Sequence, residues 1–194
     1  MTIDTAKLPR ETKEIFDTLR KGNFIVEDHP DSHQRRLYVV CDTNQSTLFA
    51  LYEALGYELV GGEGYFIFYT PEMGEAAKEH RVEQILMLLD IIDLFYGAFP
   101  SFDIGWKGTP SDLEMALKND TVRLERLEHM RGTKGKTVYE KCESAFDSLS
   151  KFGCIVSQED KLGSYQVTSA FNYVRDFFDS VKRINSNNSN GEEK

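Results

Sequence analysis

Residues 57–69 read Tyr57-Glu58-Leu59-Val60, then Gly61-Gly62-Glu63-Gly64, then Tyr65-Phe66-Ile67-Phe68-Tyr69. Two β-prone runs flank a glycine cluster that tolerates the positive φ values of a tight turn, so this stretch predicts a β-hairpin. What precedes it is helical in pattern. Ile15, Phe16 and Leu19 fall at helical spacing before Gly22. Leu48, Phe49, Leu51, Tyr52 and Leu55 form a second apolar face, with Ser46 as its expected N-cap and Gly56 as its stop.

Between these helices Phe24-Ile25-Val26 is a short β-prone run, and Glu27 to Arg36, with Pro30, reads as a polar loop. Leu37, Tyr38, Val40 and Cys41 fit either a short strand or a short buried helix, which periodicity leaves open. A helix, a helix and a hairpin within about sixty residues is the order of a winged helix, with the hairpin as its wing.

The second half repeats the logic. A long helix is expected from Glu75 to Tyr96, with Val82, Ile85, Leu86, Leu89, Ile92 and Phe95 along one side and Leu88 and Ile91 broadening it. Gly97 and Pro100 end it, and an irregular segment holding Trp106 leads to helical stretches at 111–118 and 120–130. From Thr137 to Phe152, Val138, Cys142, Ala145, Phe146 and Leu149 make a further face that Gly153 stops. Cys154-Ile155-Val156 and Tyr165-Gln166-Val167 then make a second hairpin across a polar turn. Leu55-Gly56-Tyr57 and Phe152-Gly153-Cys154 thus hold matching places, helix end followed by wing.

A last helix is expected from Ala170 to Ile184, followed by a disordered Asn/Ser-rich tail. The expected organisation is mainly α with small β-hairpin wings, in two tandem winged-helix domains. An N-terminal extension occupies 1–9, the first domain 10–74, the second 75–184 and the tail 185–194.

No 18-residue apolar run is present, and Asp90 and Asp93 interrupt the richest stretch, so that stretch reads as a buried helix. Met1 to Pro9 lacks the apolar core of a secretory signal. Three cysteines among apolar neighbours suit buried thiols in a reducing cytoplasm. The net charge is −9, and residues 1–100 hold 9 basic against 17 acidic side chains. Such acidity opposes a dominant affinity for phosphate backbones.

Reactive chemistry is not argued by any constellation in the sequence. Gly135-Lys136-Thr137 suggests a phosphate loop, but Met130 stands where the leading glycine is needed, so a basic loop before a helix is the better account. His29 and His33, beside Asp28 and Asp31, lack a further ligand at a familiar metal spacing and read as a solvated loop. His80 and His129 stand alone on helices, and Cys41, Cys142 and Cys154 read as core residues. The expectation is no catalytic residue, no cofactor and no metal.

Two surfaces are candidates for binding. Arg123, Arg126, Arg131, Lys134 and Lys136 form a basic stretch suited to phosphate or DNA contact, although Glu125, Glu128, Glu140 and Glu143 dilute it. Tyr65, Phe66 and Phe68 of the wing, with Ile85, Leu88, Ile92 and Phe95 of the long helix, carry more apolar surface than one small domain needs. Most of them are expected in the chain's own core, and part of this surface is the candidate interface with a second copy or a partner chain.

Three stretches together resemble the MukE/MksE family of small accessory subunits of bacterial condensin-like complexes. The first runs from Glu14-Ile15-Phe16 through Leu19-Arg20-Lys21-Gly22-Asn23-Phe24-Ile25. Leu55 to Val60 with Gly64 to Phe68 resembles the family's first wing, and Arg81 to Phe95 the segment opening its second domain. The resemblance implies tandem winged-helix subunits that form a homodimer and bind a kleisin (MukF/MksF-like), and through it an SMC ATPase (MukB/MksB-like). It implies a cytoplasmic, nucleoid-associated, non-catalytic role in chromosome segregation or plasmid defence, with DNA contacted inside the complex. The alternative from the residues is a dimeric winged-helix transcriptional regulator, which needs an outward recognition helix rich in Arg, Asn or Gln.

Overall fold

The computed structural model of the chain describes residues 8–69, 75–158 and 163–176, with helix backbone alone over 75–81. The expected tail, the last helix beyond 176, the start of the N-terminal extension and most of the second hairpin's turn lie outside these residues. So does the His80 side chain.

Helix α1 (Thr12–Arg20) buries Ile15 and Leu19, one turn apart. Strand β1 (Ile25–Val26) follows, and then α2 (Ser32–Thr43) and α3 (Gln45–Ala54). The segment expected to be loop as far as Arg36 instead becomes helix at Ser32. The Asp31 carboxylate accepts from the His33 N–H at 2.8 Å, so the residues after Pro30 are capped into a helix. The choice left open for Leu37 to Cys41 falls to helix. Leu37 and Cys41 are both fully buried, four residues apart, and pack in one core with Leu48 and Tyr52 of α3. Asn44 alone separates the helices, its side chain donating to the Val40 carbonyl at 2.9 Å. It takes the N-cap place expected of Ser46, without a side-chain cap bond.

Strands β2 (Glu58–Gly62) and β3 (Tyr65–Tyr69) form the predicted hairpin in the register Gly62↔Tyr65 through Glu58↔Tyr69. Strand β1 pairs with the other edge of β3, giving the sheet order β1-β3-β2.

The second half opens with α4 (Glu75–Ala98). Within the segment expected to be irregular lies a two-residue strand, β4 (Lys107–Gly108). Then come α5 (Pro110–Leu117), α6 (Thr121–His129), α7 (Val138–Lys151), β5 (Ile155–Ser157) and β6 (Tyr165–Val167). Residues 171–176 are again helical. The second sheet has the order β4-β6-β5, the same permutation as the first.

The matching helix ends share one hydrogen-bond pattern. Tyr57 N–H donates to the Tyr52 carbonyl at 2.9 Å and Cys154 N–H to the Leu149 carbonyl at 3.0 Å, each closing the last turn of a helix. The glycine before each donor is left-handed, with φ of +82° at Gly56 and +75° at Gly153. This is the C-terminal closure that glycine permits without a Cβ clash.

Each half has its own core. The first gathers Ile15, Leu19, Leu37, Cys41, Leu48, Tyr52, Phe66 and Phe68. The second gathers α4 residues such as Leu88, Ile91 and Phe95 with Leu113, Leu117, Cys142, Phe146, Leu149 and Val167. A smaller cluster of Val26, Tyr65, Ile67 and Ala170 joins the two.

Candidate functional site

Strand β3 explains the surplus of aromatic surface in the wing. Successive side chains of a strand point to opposite faces. Phe66 and Phe68 enter the first core, while Tyr65 and Ile67 enter the joining cluster. There Phe24, Tyr65 and Tyr173 form a triangle of rings, with centroids 5.4–5.9 Å apart. Strand β3 is therefore buried on both faces from Tyr65 to Phe68, one against the helices of the first half and one in the joining cluster with Phe24 and the segment that follows β6.

The seven residues expected at a protein interface all fill the chain's own interior. Tyr65, Phe66, Phe68, Ile85, Leu88, Ile92 and Phe95 are at most 8% exposed. Phe95 packs edge-on to Phe146 at 5.0 Å, and Leu88 and Ile92 belong to the same core. Among the described residues, the large apolar side chains that α4 leaves exposed are Val82, Leu86 and Tyr96.

A polar clasp surrounds the joining cluster. The Asp28 carboxylate accepts from the Ser169 N–H at 2.9 Å, and the Ser169 hydroxyl lies 2.8 Å from Asp28 Oδ1 and 2.6 Å from the Gly64 carbonyl oxygen. Its one proton serves either acceptor. Asn172 Nδ2 donates to the Glu63 carbonyl at 2.9 Å, and Gln166 Nε2 to the Asp28 carbonyl at 3.2 Å. The turn of the first wing is thus bound to Ser169 and Asn172, and the loop after β1 to Gln166 and Ser169. Gly64 sits at the contact with φ +80°, and a Cβ there would lie 2.7 Å from both Glu27 Oε1 and Ser169 Cβ.

Sequence reasoning missed this clasp. Asp28 drew notice only as a neighbour of His29 and His33. Only His29 is in the loop, its Nδ1 accepting from the Asp31 N–H at 3.0 Å, whereas His33 is on α2 with its Nε2 2.6 Å from Glu14 Oε1. Among the described residues no group of three or more metal-ligating side chains converges.

Beside the clasp, a cleft of about 1010 Å³ opens between the two halves. Leu19, Phe24, Ile67 and Phe68 line it from the first half, with Ile85 and Met87 of α4. Lys134, Glu140, Glu143, Asp147 and Lys151 line it from α7 and the loop before it, so one wall is largely apolar and the other mixed in charge.

The five basic residues divide into two groups. Arg126 is paired with Asp93 and lies 3.6 Å from Asp90, both on α4, while Arg123 is paired with Asp120. Arg131, Lys134 and Lys136 are exposed on the loop before α7 and form no ion pair among the described residues. The start of α7 is itself filled. Glu140 accepts from the Lys136 N–H at 2.6 Å and the Thr137 N–H at 3.1 Å, and these bonds hold its carboxyl below the usual range. A phosphate at that helix start would meet a carboxylate where it needs free amides, which removes the phosphate-loop reading.

Cys41, Cys142 and Cys154 are buried as expected, and burial pushes each thiol up to about 12. A thiol so held stays protonated and is a poor nucleophile at neutral pH.

No helix among the described residues is long and apolar enough to cross a membrane. No curated protein matches the chain. The family described as condensin complex protein MksE matches residues 10–178, a span that takes in both sheets, the cleft and the clasp. On that match the chain belongs to the MksE family of condensin complex proteins.

Proposed function

We propose that this chain is a non-catalytic, dimeric accessory subunit of a bacterial condensin-like SMC complex, binding the kleisin and through it the ATPase. The observation that carries the reading is the family match over residues 10–178, which runs unbroken through both α-plus-hairpin halves. The repeated sheet order and the paired helix closures support two winged helices in tandem, divided between 10–74 and 75–184. The buried, protonated cysteines support a scaffold role, since they offer no thiolate.

The complex acts in chromosome organisation or plasmid defence, in the cytoplasm at the nucleoid. Any phosphate contact falls to Arg131, Lys134 and Lys136, because aspartates already hold Arg123 and Arg126. The experiment mixes the purified chain with the kleisin encoded beside it and reads mass by light scattering. A dimer alone and a larger stable complex with the kleisin are expected. A monomer that elutes apart from the kleisin would overturn the proposal.

A further inference from the structure

We infer that the outer edge of β2 is a docking strand for an extended, cationic peptide segment of a partner protein, which joins the first sheet as its fourth strand. The backbone geometry sets this up. Gly62 and Tyr65 flank a two-residue turn, so they form a hydrogen-bonded pair, as do Val60 with Ile67 and Glu58 with Tyr69. The N–H and C=O groups of Leu59 and Gly61 therefore point away from β3. Among the described residues, β3 is the only strand paired with β2. The register is continuous across Glu58–Gly62, so no bulge twists this edge aside. The strand also carries no proline or lysine, residues that commonly block edge pairing.

The matching strand of the second sheet, β5, is placed differently. A crevice lined by Val26, His29 and Pro30 of the first half sets those residues against its Ile155 and Ser157. Beside β2 lies a groove of about 510 Å³, lined by Phe49 and Glu53 of α3 with Gly56, Tyr57, Glu58 and Leu59. An added strand places every second side chain on one face, and such a groove receives one of them.

Charge names the occupant. Glu53 and Glu58 are exposed and form no ion pair among the described residues, and no cation is among the residues that line the groove. Leu55, 56% exposed, directly precedes Gly56 of the groove lining. The favoured ligand alternates an apolar residue with lysine or arginine. This inference does not depend on which complex the chain serves.

The test titrates a capped Lys-Val-Lys-Val-Lys-Val peptide into the whole ¹⁵N-labelled chain. Two counterparts N-methylated on alternate residues, one for each register, leave the protein untouched and remove the backbone donors. Expected are amide shifts and slowed exchange at Leu59 and Gly61, with binding lost for one N-methylated register. E53Q and E58Q should each weaken binding about threefold. The inference is overturned if both N-methylated peptides bind like the parent, if a Glu-Val counterpart binds as tightly, or if the shifts fall elsewhere. Burial of β2 against a second copy of the chain would overturn it as well.

Discussion

The Asp28 carboxylate accepts the backbone N–H of Ser169 at 2.9 Å, joining the loop after β1 to the segment after β6 across 141 residues of chain. That N–H stands just before the helical residues 171–176, so Asp28 caps, from the first half, a turn of the second. Ser169 in turn reaches the Gly64 carbonyl in the first wing. One carboxylate and one serine thus fix the wing against the chain's second half.

Asp28→Ala removes the acceptor and leaves the Ser169 amide unsatisfied. A loss of about 1–3 kcal/mol in unfolding free energy is expected, read from urea denaturation. Hydrogen exchange at the Ser169 amide should quicken in the same variant. Unchanged exchange there would show that the clasp does not hold this segment.

Gly64→Ala and Gly22→Ala separate backbone strain from crowding. Both glycines are left-handed, with φ of +80° and +81°, so alanine costs about 1–2 kcal/mol at either position. A Cβ at Gly22 meets nothing within 4 Å, whereas one at Gly64 strikes Glu27 and Ser169. Gly64→Ala should therefore destabilise the chain by at least ~1 kcal/mol more than Gly22→Ala. Equal losses in chemical denaturation would contradict the close packing of the wing turn.

Alkaline pH should weaken the fold. Burial raises the three thiols from about 9 to about 12, and burial with Asp176 nearby raises the Tyr65 hydroxyl to about 12. The folded state therefore favours their protonated forms. Their contribution is complete below pH ~9 and is lost as pH rises towards ~12, each thiol adding a slope of up to ~1.4 kcal/mol per pH unit. Urea midpoints measured from pH 7 to 11 should be level at first and then fall. A midpoint still level at pH 11 would contradict this. A thiol reagent at pH 7 should label the native chain slowly and the urea-unfolded chain at once.

Replacing Arg131, Lys134 and Lys136 together by Ala should leave the unfolding free energy within about 0.5 kcal/mol of the parent, since their exposed side chains form no ion pairs among the described residues. Binding of duplex DNA by the assembled complex should weaken, and its salt dependence should flatten by up to three phosphate contacts. The same salt slope for variant and parent would remove these residues from the DNA path.

Much of the fold was legible because it is written in local chemistry. The glycine cluster at 61–64 announces a hairpin. Gly56 and Gly153 mark helix ends, and the apolar spacing of α1, α3 and α7 marks their buried faces. What stayed hidden depends on distant partners. β4 has two residues and exists only because β6 pairs with it. The helix at Ser32 is the exception, because the signal there is local: the Asp31 cap overrides the loop suggested by Pro30. The apolar surplus of Tyr65, Phe66 and Phe68 left room for a partner because nothing local shows that Tyr173 and Ala170 return to cover the face that bears Tyr65. The clasp was invisible for the same reason, as Asp28 and Ser169 carry no periodic signal.

Affinity capture of the tagged chain from its own cells, read by mass spectrometry, tests the assignment most directly. A kleisin and a long coiled-coil ATPase recovered in stable proportion with the chain are the predicted result. Recovery of the chain with neither, under conditions that keep it folded, would contradict its place in a condensin-like complex.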